Sequence, residues 1–263
     1  GSPGKTGAPA MAALAGGRMG AGLVTVGIPA SLNPILEAKL TEAMTEPLPE
    51  SIPGFLGEQS IERVLSLAEG KQCMVLGPGI STHEGIRELV NRILARYEGW
   101  LLIDADGLNA LGGQLDALKT TRAKVVLTPH PGEMGRLGGI STKHVQEDRL
   151  GVARKMAGEY GVWMVLKGAS TVTASPEQVV TINSTGNAWM ASGGQGDALS
   201  GIIGGLLAQG IPPEEAIPFG VYLHGLAADK LVEKLGPAPV LAMDVIHEIA
   251  GLLGVIGGPN KEE

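Results

Sequence analysis

The sequence predicts an α/β fold: a mainly parallel β-sheet, covered by helices on both faces and held in a single domain spanning residues 1–263. Three observations carry this expectation. Short apolar or β-branched runs at 22–28, 72–77, 100–105, 124–129 and 162–168 alternate with segments of helical period. These runs lack the polar alternation of a strand with one wet face, so burial on both sides is expected. Glycine supplies 41 of the 263 residues, about twice the usual share of ~7%, and it follows the apolar runs or opens helices, as where loops bring backbone close to a ligand.

An Ala-rich helix is expected over 8–19, ahead of the strand at 22–28. Between the strands at 72–77 and 100–105, Ile86, Leu89, Val90, Ile93, Leu94 and Tyr97 recur at helical spacing and line one face, which makes a βαβ unit. A single helix is expected over 144–160, before the strand at 162–168. Residues 170–183 alternate instead and read as a hairpin turning at Ser175-Pro176. Helices follow at 197–209, about 213–234, and 242–254. No repeat or linker divides the chain. In such sheets ligands bind outside the carboxyl ends of the strands, where "GPGIST", "DADGLNAL", "TPHPGEM" and "KGAST" all fall.

Composition excludes some partners. A net charge of −7 and 3% aromatic residues give neither a basic surface nor stacking platforms for nucleic acid. No apolar run reaches the roughly 18 residues of a membrane span, so no membrane association is expected. Cys73, the one cysteine, lies in the apolar run "CMVLG" and reads as a buried thiol. A lone cysteine forms no intrachain disulfide, which is compatible with a reducing cytoplasm.

The stretch "ASGGQGDALSGIIGGLLAQG" (191–210) carries the most chemistry. Gly193, Gly194 and Gly196 free main-chain N–H groups at the mouth of an apolar helix, a place suited to an anion. Asp197 in that mouth is either a helix cap or a base that faces a hydroxyl beside the anion and takes its proton during attack on a phosphoryl group. The pattern fits phosphoryl transfer to an alcohol. Lys167, at a strand end before Gly168, either snorkels to the surface or reaches nucleotide phosphates. Asp104 and Asp106, two residues apart on an extended segment, project to one side and either hold Mg²⁺ through water or are solvated loop acids. His130 is held rigidly between two prolines, and Glu133 sits in the first turn of a short helix. "GKT" at 4–6 lacks the earlier glycine and strand of a P-loop.

Together, "GKTGAPAMAALAGGRMGAGLVTV", "TEAMTEPLPE", "VLGPGI", "DADGLNAL", "LTPHPGEMGRL", "LKGAST" and "NSTGNAWMASGGQGDALSGIIGGLLAQG" resemble, in order and spacing, the NAD(P)H-hydrate dehydratases, repair enzymes of ribokinase-like fold. The resemblance implies a lyase that phosphorylates the C6 hydroxyl of the S-epimer of hydrated NADH or NADPH from ADP or ATP, usually with Mg²⁺, and then expels phosphate to restore the dinucleotide. It implies Asp197 as the base and the N–H groups of 194–197 as the anion hole. Ala8, Gly79, His130 and Asp197 would contact the hydrated dinucleotide. Lys167, Gly168, Ala169, Ser170, Thr171, Gly194 and Gly196 would hold the adenine nucleotide. No metal ligands are assigned. Gln195 stands where the family often has Thr, and Ala188-Trp189 replaces a common Pro-Gly. The family also has a strand ahead of its first glycine loop, so an open slot in the sheet is expected here, filled in a longer protein, one possible extension being a fused or paired epimerase domain. A cytoplasmic homotetramer is expected. The alternative is a kinase of the same architecture that stops at a phosphorylated vitamin precursor; a nucleotide-sensing subunit without turnover is the non-enzymatic reading.

Overall fold

A computed structural model describes residues 1–256; residues 257–263, the end of the predicted domain, lie outside the described part. The helices are α1 (Gly7–Arg18), α2 (Asn33–Glu37), α3 (Ile61–Ala68), α4 (Ile86–Arg96), α5 (Asp106–Leu111), α6 (Ala117–Thr120), α7 (Pro131–Gly138), α8 (Thr142–Glu147), α9 (Arg149–Tyr160), α10 (Gln195–Ala208), α11 (Pro213–Leu235) and α12 (Ala242–Ile256). The strands are β1 (Thr25–Pro29), β2 (Met44–Leu48), β3 (Cys73–Leu76), β4 (Trp100–Ile103), β5 (Lys124–Leu127), β6 (Trp163–Leu166), β7 (Val172–Ala174) and β8 (Val180–Ile182).

Strands β3 to β6 pair in chain order, all parallel, and the β7–β8 hairpin adds two antiparallel strands at one edge. The runs that form β4, β5 and β6 are buried on both faces, as expected, whereas β3 is only partly buried and the run at 22–28 exposes Leu23. Leu101, Ile103, Val125, Leu127, Met164 and Leu166 pack under α4, α5, α7 and α9. Leu102, Val126 and Val165 pack on the other face with α1, α10, α11 and α12. Burying both faces removes apolar side chains from water at roughly 25 cal/mol per Å² and fixes the sheet as the centre of the molecule.

Two elements differ from the sequence reading. The stretch 144–160 is broken into α8 and α9 at Asp148, whose backbone (φ −141°, ψ 66°) leaves the helical region and whose carboxylate accepts from Gly151 N–H at 2.8 Å, capping α9. The strand expected at 22–28 pairs not with the main sheet but with β2, in parallel, as a separate two-stranded sheet. β2 escapes a pattern search because Pro47 interrupts it and its burial is irregular.

Among the described residues β1 pairs only with β2, and β3 only with β4. Between β1 and β3 lies an apolar cavity of about 260 Å³, lined by Thr25–Gly27, by Cys73–Leu76 and by α1 and α10. Cys73 borders it, and burial pushes its thiol up to about 12, so it is inert as a nucleophile.

Candidate functional site

The loops after β3, β4, β5 and β6 meet the N-terminus of α10 at the carboxyl edge of the sheet. Of the four non-glycine residues with positive φ among the described residues, three lie in these loops: Ser81 (+76°), Ala105 (+49°) and Ser170 (+52°). Such conformations persist only where the surroundings impose them, and they concentrate at functional sites.

Helix α10 opens on Gly194, which has φ +92° and caps the helix without a side chain. The first hydrogen bond into the helix is Ala198 N–H to Gly194 O, at 3.0 Å. The N–H groups of Gln195, Gly196 and Asp197 therefore precede the intrahelical ladder and form a cup at the positive end of the helix dipole. Asp197 is not the cap but lies in the first turn of α10. Its half-buried carboxyl is pushed up to about 6, chiefly by burial and then by the nearby Asp104, against the pull of Lys167. That is a proton affinity suited to a base near neutral pH.

Lys167 follows β6, and its N–H donates to Pro129 O at 2.8 Å. Its side chain does not snorkel outward. Nζ donates to Asp104 Oδ1 at 2.6 Å and lies 3.8 Å from Glu133 Oε2. A β-carbon on Gly196 would sit 3.3 Å from Lys167 Nζ, so the ammonium lies against the wall of the cup. Asp104 and Asp106 take separate partners rather than projecting together as their spacing suggests. The turn at Ala105 sends Asp104 inward to Lys167, while Asp106 Oδ2 accepts from Lys5 Nζ and from Ser81 N–H, each at 2.9 Å. Among the described residues no cluster of three or more His, Cys, Asp or Glu could cage a metal.

His130 caps α7. Its Nδ1 accepts from Gly132 N–H at 3.0 Å and from Glu133 N–H at 3.4 Å, and Glu133 Oε2 accepts from His130 N–H at 2.8 Å. With Nδ1 occupied as an acceptor, the proton of the neutral ring is on Nε2, and the ring is 51% exposed toward the cleft rim. Gly79, at φ +66°, touches the start of α1: a β-carbon there would fall 2.8 Å from Lys5 O and 3.2 Å from the Ala8 β-carbon. Ala8 and Gly79 are thus adjacent, and the Lys5–Asp106 pair ties them to the loop after β4. Gly168, Ala169 and Ser170 are exposed, whereas Thr171 is buried and its hydroxyl donates to Gly168 O at 3.0 Å.

Two supports were not legible in the sequence. Arg149 of α9 reaches across to donate to Leu166 O at 3.0 Å, to Lys167 O at 3.3 Å and to Ala169 O, which fixes the loop after β6. Gln195, the unusual residue in the glycine stretch, turns away from the cup. Its Nε2 donates to Val240 O at 2.9 Å, and its Oε1 lies 3.1 Å from Nε2 of the buried His224. Burial, then Lys167, lowers His224 to about 4, so the ring is neutral and donates to Gln195.

The family model of the NAD(P)H-hydrate dehydratases matches residues 1–250. A bifunctional NAD(P)H-hydrate repair enzyme of Moorella thermoacetica is 43% identical over 246 residues, covering 94% of this chain and 46% of that protein. The ADP-dependent (S)-NAD(P)H-hydrate dehydratase of Neisseria meningitidis is 36% identical over 90% of this chain and 77% of its own length. Among solved structures, the ADP/ATP-dependent NAD(P)H-hydrate dehydratase of Bacillus subtilis, co-crystallised with ATP/Mg²⁺ and soaked with CoA, superposes with a TM-score of 0.80 at 27% identity, over 96% of this chain and 88% of that one. The chain spans about half the length of the bifunctional relatives it matches. Its fold is ribokinase-like, and by the match across nearly its whole length it belongs to the NAD(P)H-hydrate dehydratase family.

Proposed function

We propose that the protein dehydrates the S-epimer of hydrated NADH or NADPH at the expense of ADP or ATP. The observation that carries this reading is the raised, uncapped carboxyl of Asp197 beside the free amide cup of α10. Asp197 takes the proton of the C6 hydroxyl as that oxygen attacks the terminal phosphorus, and the bond from phosphorus to the departing nucleotide breaks. The C6–O bond then breaks with its electrons leaving on phosphate, and loss of the C5 proton restores the ring double bond. The amides of Gln195, Gly196 and Asp197 hold the charge of the transferring group. Ala8, Gly79 and His130 border the side of the cleft from which the dinucleotide approaches.

Residues 167–171, with Gly194 and Gly196, form the nucleotide side. Arg149→Ala, which frees the loop from Leu166 O, Lys167 O and Ala169 O, is expected to raise the nucleotide KM about tenfold and to lower kcat less, since it removes positioning and no charge on the reacting atoms; steady-state kinetics check this. With Asp104 and Asp106 each engaged by a lysine, the residues fit a Mg²⁺ bound through nucleotide phosphates and water, with few protein carboxylates. Such an ion would neutralise phosphate charge.

Incubation with hydrated NADH and either nucleotide, read by the return of reduced-nicotinamide absorbance, tests the proposal. No recovery with either nucleotide overturns it, and accumulation of a stable phosphorylated alcohol instead marks a kinase. Cytoplasmic placement and a homotetramer belong to the same proposal on the family resemblance, with sedimentation as the check on assembly. We further propose that the apolar groove between β1 and β3 takes one more strand, and that in some forms the protein is joined to or paired with an epimerase domain. A chain with an apolar strand in that groove is expected to melt several degrees higher, because it pairs two open edges and covers the groove lining.

A further inference from the structure

Asp104 closes β4 and is 1% exposed. A carboxylate that deep requires partners for both oxygens, and the two partners come from different elements. Oδ1 accepts from Lys167 Nζ at 2.6 Å, and Oδ2 accepts from the Ser200 hydroxyl at 2.9 Å. Lys167 belongs to the loop after β6, and Ser200 lies one turn beyond Asp197 on the same side of α10. Asp104 therefore fastens the strand end, the lysine loop and the catalytic helix at one point. A β-carbon on Gly196 would lie 3.5 Å from Asp104 Oδ2 as well as 3.3 Å from Lys167 Nζ, so both members of the ion pair back onto the cup. The backbone of Ala105 (φ +49°, ψ −118°) turns Asp104 inward and parts it from Asp106.

We propose that Asp104 is a positioning residue for phosphoryl transfer: through Lys167 and Ser200 it holds one ammonium at the lip of the amide cup, beside Asp197. This rests on the function proposed above and adds a residue that does not itself touch substrate. Held there, the ammonium faces the transferring phosphoryl group with little freedom to swing, and a displacement of about 1 Å is enough to cost ~10²-fold in rate. Asp104 also acts on Asp197 across the cup. The side chains that face Asp197 are Asp104 and Asp106, which raise its proton affinity, and Lys167, which lowers it. Neutralising Asp104 removes a repelling charge and frees the lysine, so both effects draw the Asp197 carboxyl downward.

The test compares wild-type protein with Asp104→Asn and Ser200→Ala. The Asp197 carboxyl is titrated by ¹³C NMR, assigned through Asp197→Asn, and kcat is measured on hydrated NADH with ADP and with ATP. Asp104→Asn is expected to lower the Asp197 midpoint by about one pH unit and kcat by ~10–100-fold. Ser200→Ala leaves every charge in place and is expected to leave the midpoint unmoved while kcat falls about threefold to tenfold. A purely structural tie would lower the melting temperature without moving the midpoint. An active wild type whose Asp104→Asn variant keeps both midpoint and kcat overturns the proposal alone. If that variant does not fold, unchanged kcat in Ser200→Ala overturns it. A wild type inactive on hydrated NADH overturns the functional reading, and the positioning role with it, even where the midpoint shifts.

Discussion

Asp197→Asn is expected to lower kcat by about 10²–10⁴-fold, the range a positioned general base supplies, and to leave nucleotide affinity nearly unchanged. The amide has the shape of the carboxylate but cannot take a proton. The groups offered to the nucleotide phosphates at this helix are main-chain N–H groups of residues 195–197, which the substitution leaves in place. In the wild type, kcat is expected to rise with pH through about 6 and then level, because the base works unprotonated and its carboxyl is held up by burial and by Asp104. The same shift has a consequence for stability, with the opposite sign. The folded protein binds this proton more tightly than the unfolded chain, whose value is 3.8. The folded state is therefore favoured below about 4, loses that advantage as pH rises toward 6, and carries the full cost of the buried charge above it. Asp197→Asn is thus expected to melt higher than the wild type at pH 8 and equally at pH 3.5. Thermal melts at the two pH values, beside the rate profile, check this. A variant that retains a tenth of the activity, or that melts lower at pH 8, would contradict the role given to Asp197.

The sequence made the sheet legible where burial on both faces suppresses alternation, as in β4 to β6, and each apolar run is closed by a polar residue or a glycine: Gly77, Asp104, Thr128 and Lys167. It concealed β2, whose Pro47 and exposed Met44 belong to a two-stranded sheet outside the main core. It also concealed the break at Asp148, because the apolar spacing runs on through it. At the site the amide cup was readable from Gly193, Gly194 and Gly196, since only local backbone chemistry is needed. The partition of Asp104 from Asp106 was not. Period-two spacing puts both on one side of a strand, but the strand ends at Ile103 and Ala105 adopts a turn that only the packed loops impose. Lys167 had two equal readings, and a partner 63 positions away removes the snorkelling one. Arg149 and His224 gave no signal, because each acts through contacts with segments distant in sequence and neither stands in a motif.

Gly201→Ala is expected to be a strongly destabilising single-methyl change, and it reaches the site through packing alone. α10 lies on α1 so closely that a β-carbon at Gly201 would enter the Ala12 carbonyl oxygen and lie 2.7 Å from the Ala15 β-carbon; at Gly205 it would lie 2.7 Å from Gly16 O. Backbone and a core alanine cannot yield as a flexible side chain can, so α1 must move away from α10. The expected cost is about 2–3 kcal/mol or more, roughly 5–10 °C in Tm for a chain of this size. Because α1 begins at the Lys5–Ala8 turn that abuts Gly79, its displacement should also raise the dinucleotide KM while leaving the base and the amide cup in place. Gly17→Ala in the same helix is the control: nothing lies within 4 Å of a β-carbon there, and alanine favours the helix by up to ~1 kcal/mol. Calorimetric melts should therefore separate two Gly→Ala changes on α1 and α10 by both size and sign. Equal melting of the two variants would mean that α1 and α10 are not in the close contact that Gly201 and Gly205 permit.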